Sequence, residues 1–348
     1  MPMLRTPIVE EDIHFVLVAC QSEMQALAGK TLLITGGSGF VGSYLVESVL
    51  AFNAANPDSP IHLLLPTRSV AATRARWPHL FGHSSLVWFE WDGRTLSPPD
   101  STCDFIIHAA SPADPASYLH APMQAMEDIA LGTGAVLHYA RSAGVSKLLY
   151  LSSGAAYGRQ PADLEAIAES SQLAPDLKDP GSCYGEAKRY AELLCRTSSI
   201  PAVIARLFAF IGPYQDLNGS FAVPDFIQQA TQQHTIRIHS DGSALRTYCY
   251  AADLTAGLWK LLLQGNPGEL YNVGADAPRV SIRELAELIA SQVGNTAVVI
   301  EGKSTGGLRS RYIPDTSRFN ALYSPQFDLM ESLRRTLASY QHHRAYTT

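Results

Sequence analysis

No Cys-x-x-Cys pair occurs in the 348-residue sequence, and no run reaches the roughly 18 apolar residues needed to cross a membrane. The five cysteines, Cys20, Cys103, Cys183, Cys195 and Cys249, are odd in number and far apart. That spacing argues against a disulfide framework and against a zinc site, and fits reduced thiols in a cytoplasm. Charge is scarce and shows no basic excess: 26 Lys and Arg stand against 32 Asp and Glu, a net of -6. Such a balance exerts no global pull on nucleic acid or an anionic membrane, so neither is an expected partner. The N-terminus lacks the basic segment of a secretory signal, because Glu10, Glu11 and Asp12 precede the short apolar run Phe15 to Cys20. The chain therefore reads as soluble and cytoplasmic.

Apolar residues make up 46% of the chain and charged residues 17%, which is enough core-forming material to exclude disorder. At this length the expectation is one large domain with a smaller lobe. Residues 1–29 read as an N-terminal helical extension, a single helix within Ile8 to Leu27 that acts as packing material. From Lys30 onward, apolar runs at 31–35, 61–65, 86–91, 105–110, 147–152 and 204–209 alternate with helical stretches at 41–54 and 123–143. Strands that are apolar throughout and separated by helices predict crossover units, hence an α/β fold with a doubly wound parallel sheet of the Rossmann type. A patterned helix at 281–292, with loops at Gly212-Pro213 and Asp241-Gly242, predicts a smaller C-terminal α/β lobe for substrate. The expected boundaries are 30–205 and 233–262 for the sheet domain, and 206–232 and 263–348 for the lobe. Asn218-Gly-Ser, formally a glycosylation sequon, reads as a turn.

The strand Thr31-Leu-Leu-Ile-Thr35 runs directly into Gly36-Gly-Ser-Gly39-Phe40-Val41-Gly42, and a helix follows. Glycine lets the backbone turn tightly and approach a pyrophosphate, and the helix N-terminus offers free N–H groups and the positive end of its dipole. Strand, glycines and helix in that order point to dinucleotide binding. Two registers fit: Gly37, Gly39, Gly42 and Gly36, Gly39, Gly42.

Tyr184-Gly-Glu-Ala-Lys188 places a phenol and an ammonium on one face of a helix, and of 15 tyrosines only this one has lysine four positions on. The ammonium is expected to favour the phenolate, lowering a pKa of about 10 toward neutrality so that the tyrosine exchanges a proton with a substrate hydroxyl. Leu149-Tyr-Leu-Ser-Ser153 is a strand ending in hydroxyls, at the edge where open α/β sheets bind ligands. With Thr35 before the second glycine register, these three features in this order resemble the short-chain dehydrogenase/reductase superfamily.

Over residues 30–320 the chain is similar to that superfamily's extended branch, the NAD(P)-dependent epimerase/dehydratase family acting on nucleotide-linked sugars. The resemblance implies Ser153, Tyr184 and Lys188 as catalytic residues, with Ser153 in the segment Ser152-Ser153-Gly-Ala-Ala-Tyr157-Gly158. It implies Gly36, Gly39, Phe40, Val41, Gly42, Ala109, Ala110, Ser111 and Lys188 around the cofactor, with Asp92 as the acid at adenine. Arg246, in Arg246-Thr-Tyr-Cys-Tyr-Ala-Ala-Asp253, and Arg311, in Arg311-Tyr-Ile-Pro-Asp315, are similar to the family's phosphate-contacting arginines, where a guanidinium binds bidentately. Substrate would thus meet Ser153, Tyr184, Arg246 and Arg311. A homodimer through the Met123 and Tyr184 helices is also implied.

Two departures narrow the chemistry. The family's 4,6-dehydratases carry Asp-Glu directly after the catalytic Ser/Thr, and the related decarboxylase of UDP-glucuronate keeps a Glu there, whereas this chain has Gly154 and Ala155. Dehydration then lacks its general acid. His108-Ala-Ala-Ser-Pro-Ala-Asp-Pro resembles the decarboxylase subgroup, but the missing Glu argues against that reaction, and His108 reads as a strand-end residue packing near the cofactor. Ala209 replaces a substrate-binding Asn often found in the Arg206 segment. Leu65-Pro-Thr-Arg68 offers no acid for the ribose hydroxyls of NAD, and Arg68 tilts the expectation toward NADP over NAD. The expected activity is NAD(P)-dependent hydride transfer at C4 of a nucleotide-diphosphate sugar, as a 4-keto-6-deoxy sugar nucleotide reductase. A 4-epimerase with tightly bound NAD is the second reading, and a non-catalytic NAD(P)-sensing binding protein the third.

Overall fold

The structure, a computed structural model, describes residues 3, 5–99, 102–217, 219–303 and 309–345, so Asn218 and the turn expected there lie outside the described residues. Two helices, α1 (Pro7–Ala19) and α2 (Gln21–Ala26), precede β1 (Thr31–Thr35), α3 (Phe40–Ala55), β2 (His62–Thr67), α4 (Val70–Arg76), β3 (Leu86–Glu90) and β4 (Phe105–His108). Then come α5 (Pro115–His120), α6 (Pro122–Ala143), β5 (Lys147–Ser153), α7 (Cys183–Thr197), β6 (Ala202–Leu207), α8 (Ala222–Gln233), α9 (Ala251–Gln264), the strand Leu270–Val273 and α10 (Ile282–Val293).

Seven strands form one sheet in the order Leu270–Val273, β6, β5, β4, β1, β2, β3, and every neighbouring pair is parallel. This is the doubly wound Rossmann arrangement. Its strands are apolar throughout because helices cover both faces: Val9 and Ile13 of α1, Val46 and Val49 of α3 and Leu258 of α9 fill one side. Ile129 and Val136 of α6, with Ala187 and Ala191 of α7, fill the other. Strand order reverses at β1, which lies between β2 and β4. The crevice outside the carboxyl ends of β1 and β4 is therefore the ligand-binding position of such a sheet.

The lobe has its own core, in which Phe226 and Ile227 of α8 meet Leu285 and Ile289 of α10. The first turn of α10 is fixed by a capping box: Ser281 Oγ accepts from the Glu284 N–H at 3.1 Å, and the Glu284 carboxylate accepts from the Ser281 N–H at 2.7 Å. Two segments lie on the other side of the expected boundaries. Leu270–Val273 pairs with β6 inside the main sheet, and Thr235–Ile238 pairs with Ala297–Ile300 in the lobe. Short strands of four residues carry too little pattern to reveal which sheet they join.

The N-terminal segment forms two helices where one was expected, and α1 is part of the main core. Fully buried Asp12 accepts hydrogen bonds from Tyr44 Oη (2.8 Å), Tyr250 Oη (2.7 Å) and Arg335 Nε and Nη2 (3.0 and 2.7 Å). Burial pushes its carboxyl up to about 6, against the opposing pull of Arg335 and the two phenols. One side chain thus ties α1 to α3, α9 and the C-terminal helix Leu329–Ala345. Among the described residues no helix is long and apolar enough to cross a membrane, and all five cysteines are buried and unpaired.

Arg335→Met should cost about 3–5 kcal/mol in denaturant unfolding, because it strands a buried carboxylate. Asp12→Asn combined with Arg335→Met should recover most of that loss. Equal stability of Arg335→Met and the native protein would show that the pair is idle.

Candidate active site

Thr35 closes β1 and ties it to β4: its Oγ1 accepts from the N–H groups of Ala109 (3.1 Å) and Ala110 (3.0 Å) and lies 2.7 Å from His108 Nδ1. The other His108 nitrogen lies 3.2 Å from Thr133 Oγ1. Burial, with the charge of Lys188 in support, pushes this imidazole down to about 3, so it is a neutral strut between strand and helix. Gly36 has φ 72, and a Cβ there would lie 2.9 Å from the Ala110 nitrogen. A Cβ at Gly42 would lie 2.0 Å from the Gly36 carbonyl oxygen, whereas one at Gly37 would first meet the movable Leu65 side chain. Backbone approach therefore selects the Gly36, Gly39, Gly42 register. Gly39 caps α3 without a side chain, so the N–H groups of the first turn, at Phe40 and Val41, are left for an anion. Trp77 Nε1 donates to the Ser38 carbonyl at 3.0 Å and holds the loop from outside, a contact with no signal in the glycine motif.

Arg68 lies one residue beyond β2, exposed and without an ion pair among the described residues. Asp92 lies two residues beyond β3, also exposed, and accepts from the Arg94 N–H at 2.8 Å. Both sit at the carboxyl edge of the sheet.

Ser153 at the end of β5 and Tyr184 and Lys188 on the first turns of α7 come together at that edge. Tyr184 is buried and stacks on Tyr118, with centroids 4.9 Å apart and rings 8° from parallel. The Ser111 and Ser153 hydroxyls both act on its phenol, favouring the ionised form. Ser153 Oγ accepts from the Ala155 N–H at 3.1 Å, while the buried Ser111 Oγ completes no hydrogen bond of good geometry among the described residues. Lys188 Nζ donates to the Leu151 carbonyl at 2.8 Å, lies 5.0 Å from the centre of the Tyr150 ring and 5.7 Å from that of Tyr184.

The expected lowering of the tyrosine pKa is not found. Burial pushes Tyr184 up to about 12 and Lys188 down to about 7. Both groups sit out of water, and desolvation outweighs the Ser111 and Ser153 hydroxyls at the phenol and Glu192 at the ammonium. Beneath them, buried Glu192 accepts from the Ser152 hydroxyl and binds Arg206 through Nε (2.8 Å) and Nη2 (2.6 Å). The Arg206 guanidinium lies 4.1 Å from the centre of the Tyr157 ring, and Tyr157 Oη donates to Asn272 Oδ1 at 2.8 Å. This network locks α7, β5, β6 and Leu270–Val273 together. Its members are scattered through the sequence, which gave no sign of it.

The two arginines differ. Arg246 donates to the Leu245 carbonyl at 2.8 Å and has no carboxylate partner among the described residues, and burial pulls its pKa below the ordinary value. A half-buried guanidinium in that condition gains from an anion. Arg311 is instead engaged: Nη1 lies 3.0 Å from Glu165 Oε1, while Arg279 takes Glu165 Oε2 at 2.5 Å. Two cations share one carboxylate there. Between the arginines and the carboxyl edge of the sheet stands Tyr312, a residue that sequence reading missed. It pairs in register with Arg246, its ring centre lies 4.6 Å from that of Phe208, and burial pushes its phenol up against the opposing effect of the Ser153 hydroxyl. A Cβ at Gly154 would come within 2.5 Å of the Tyr312 hydroxyl.

Residues 32–274 match the NAD dependent epimerase/dehydratase family. The chain is 29% identical over 317 residues to UDP-glucuronic acid decarboxylase 1 of Xenopus tropicalis, covering 88% of this chain and 71% of that protein. It superimposes on dTDP-glucose 4,6-dehydratase from Streptomyces venezuelae, solved with NAD bound, with a TM-score of 0.76 and 26% identity over 91% of this chain and 98% of that one. UDP-glucose 4-epimerase from Thermotoga maritima gives a TM-score of 0.75 at 20% identity, over 90% and 99%, a likeness of fold.

Two outcomes follow from this geometry. Gly42→Ala should weaken NAD binding by more than about tenfold, as measured by fluorescence titration, because the new methyl collides with the Gly36 carbonyl where a pyrophosphate would approach. Lys188 is held at about 7 in the fold and titrates near about 10 when unfolded. The unfolded chain therefore binds the extra proton between those limits, and native stability should rise with pH across that window. Lys188→Met should lack the rise, and parallel stability profiles for the two proteins would show that burial does not shift Lys188.

Proposed function

This chain belongs to the NAD-dependent epimerase/dehydratase family, and from that premise we propose that it reduces a 4-keto-6-deoxy sugar nucleotide at C4. The observation that carries this reading is the burial of Tyr184 beside Ser153, which favours the protonated phenol, with no carboxyl at positions 154 and 155. A protonated phenol suits delivery of a proton to a carbonyl oxygen, whereas expelling a ring hydroxyl calls for an acid directed at that hydroxyl.

A dinucleotide fits the residues present, since Gly36 and Gly42 let the loop pack backbone against backbone beneath the N-terminus of α3 and Ser111 Oγ lacks a full partner among the described residues. When bound, the nicotinamide supplies the hydride. Gly36, Gly39 and Gly42 with the Phe40 and Val41 N–H groups hold the pyrophosphate, Ala109, Ala110 and Ser111 line its path, and Asp92 meets the adenine. Arg68, exposed and without an ion pair among the described residues, receives the extra phosphate of NADP, which favours NADP over NAD. Lys188 anchors the ribose and Tyr184 gives its proton to the ketone oxygen that Ser153 holds. Arg246 takes the diphosphate charge of the substrate, and Arg311 adds a second contact beside Glu165. Met123, Met126 and Leu131 of α6 and Tyr190 and Leu193 of α7 are exposed apolar residues on two packed helices, which supports a homodimer through that face.

The lack of a carboxyl at 154 and 155 serves 4-epimerisation equally, so an epimerase with retained NAD is the second reading. A binding protein that only senses the cofactor would not need Ser153, Tyr184 and Lys188 assembled.

Given a 4-keto-6-deoxy sugar nucleotide, the protein should oxidise NADPH, and it should form no keto-deoxy product from dTDP-glucose by NMR. Tyr184→Phe should retain cofactor binding and lose roughly a hundred- to ten-thousand-fold in turnover, and Arg68→Ala should weaken NADP more than NAD. Interconversion of two hydroxyl epimers without net change in nicotinamide absorbance would establish the epimerase, and dehydration of dTDP-glucose would overturn the argument from positions 154 and 155.

A further inference from the structure

Glu192 lies four residues after Lys188 on α7, so the two side chains share one face of the helix with Cβ atoms about 6 Å apart. Both are buried and opposite in charge, yet they do not pair. Lys188 Nζ donates to the Leu151 carbonyl at 2.8 Å and forms no ion pair among the described residues. Glu192 turns instead to the next residue of β5, accepting from the Ser152 hydroxyl, and to β6, where Arg206 takes both carboxylate oxygens through Nε (2.8 Å) and Nη2 (2.6 Å). Ser152 and Arg206 stand directly opposite in the β5–β6 register, so two strands together prepare a seat for the carboxylate. Arg206 has physical advantages over the ammonium. Its planar fork fits a carboxylate bidentately, and lysine before glutamate is the weaker order for a helical i,i+4 pair. The guanidinium is also held in place: its carbon lies 4.1 Å from the centre of the Tyr157 ring, Tyr157 Oη donates to Asn272 Oδ1 at 2.8 Å, and Asn272 Nδ2 donates to the Ile167 and Asp315 carbonyls at 2.7 and 3.2 Å.

We propose that Arg206 is a positioning residue that sequesters the Glu192 carboxylate, denies Lys188 a counter-ion and leaves the Lys188 side chain anchored at the Leu151 carbonyl beside Tyr184. Two basic side chains and one carboxylate share this buried site, and the fold gives the carboxylate to the arginine. The remaining Lys188 donors therefore stay free for a ligand. The other titratable groups facing Lys188 are Tyr184 and Cys195 of α7, Tyr150 of β5 and His108 of β4. Burial keeps all four uncharged near neutrality, raising the phenols and the thiol and lowering the imidazole. Glu192 is thus the carboxylate that a released Lys188 would meet. The lowering of Lys188 to about 7, by burial against the weaker opposing pull of Glu192 and Cys195, accords with that division of charge. The catalytic consequence rests on the reading of Lys188 given above; the choice of partner by Glu192 does not.

The test labels the lysines of the full chain with carbon-13, assigns Lys188 by its Met variant and follows its Cε resonance against pH, before and after addition of NAD. Arg206→Met releases Glu192 and should raise the Lys188 midpoint by about one unit or more, the effect of an opposite charge in contact. Arg206→Lys, which keeps the charge and loses the fork, should raise it part of the way. Arg206→Met combined with Glu192→Gln should give no rise. Loosened packing would raise the midpoint whether or not position 192 is charged, whereas the proposal requires the rise only when it is. With a 4-keto-6-deoxy sugar nucleotide, Arg206→Lys should lower kcat several-fold and move the pH profile in the same direction as the Lys188 midpoint. An unchanged midpoint in both Arg206 variants, or a rise that persists in the double variant, would overturn the proposal. If Arg206→Met does not fold, Arg206→Lys compared with the double variant decides by itself. If the native protein turns over no such sugar nucleotide, the proposed reductase activity fails, and the titration still decides the role of Arg206.

Discussion

Desolvation of Tyr184 and Lys188 at the carboxyl edge of the sheet is the condition on which the rest of the site depends. Helices cover both faces of the sheet, so α7 reaches its edge already packed, and the two titratable side chains on its first turns enter an environment that penalises charge. The response is visible in every neighbour. Lys188 spends a donor on the Leu151 carbonyl, Tyr184 lies against Tyr118, and the Ser153 and Ser111 hydroxyls favour the ionised phenol. The buried Glu192–Arg206 pair beneath them is costly by itself, and its bidentate geometry together with the Ser152 hydroxyl offsets that cost.

The same logic separates the two arginines. Arg311 has found Glu165, so its charge is compensated before any ligand arrives. Among the described residues Arg246 has only backbone carbonyls and aromatic rings for company. In a chain of net charge -6, an uncompensated, half-buried guanidinium near the catalytic edge concentrates positive potential where an anionic substrate would enter. Tyr312 connects this region to the end of β5, because register places it opposite Arg246 while its ring reaches back to Phe208 and Gly154.

The N-terminal helices show how far the core extends beyond the sheet itself. At Asp12, α1, α3, the start of α9 and the C-terminal helix converge. Segments at opposite ends of the sequence are thereby held on the face of the sheet that also carries the glycine loop. Glu47, one turn further along α3 than Tyr44, repeats the theme with Arg5, His79 and Tyr214.

By itself the sequence determined the features whose cause is local or periodic. Apolar strands alternating with helices specify a parallel sheet, because period and length are written in consecutive residues. The Gly36–Gly42 turn and the four-residue spacing of Tyr184 and Lys188 are likewise contained in short segments, so they were legible along with the edge at which they meet. Tertiary structure decided what depends on desolvation and on contacts between distant segments. Lys188 was expected to pull Tyr184 down and burial pushes it up, a sign that spacing on a helix cannot supply because the surrounding dielectric is set by the whole fold. Which glycine register the backbone requires, which strand joins the sheet and which arginine remains uncompensated all hinged on approaches between remote segments. Gly154 read as a missing acid in the sequence. In the fold its bare α-carbon is the space that the Tyr312 hydroxyl occupies, and only packing reveals that.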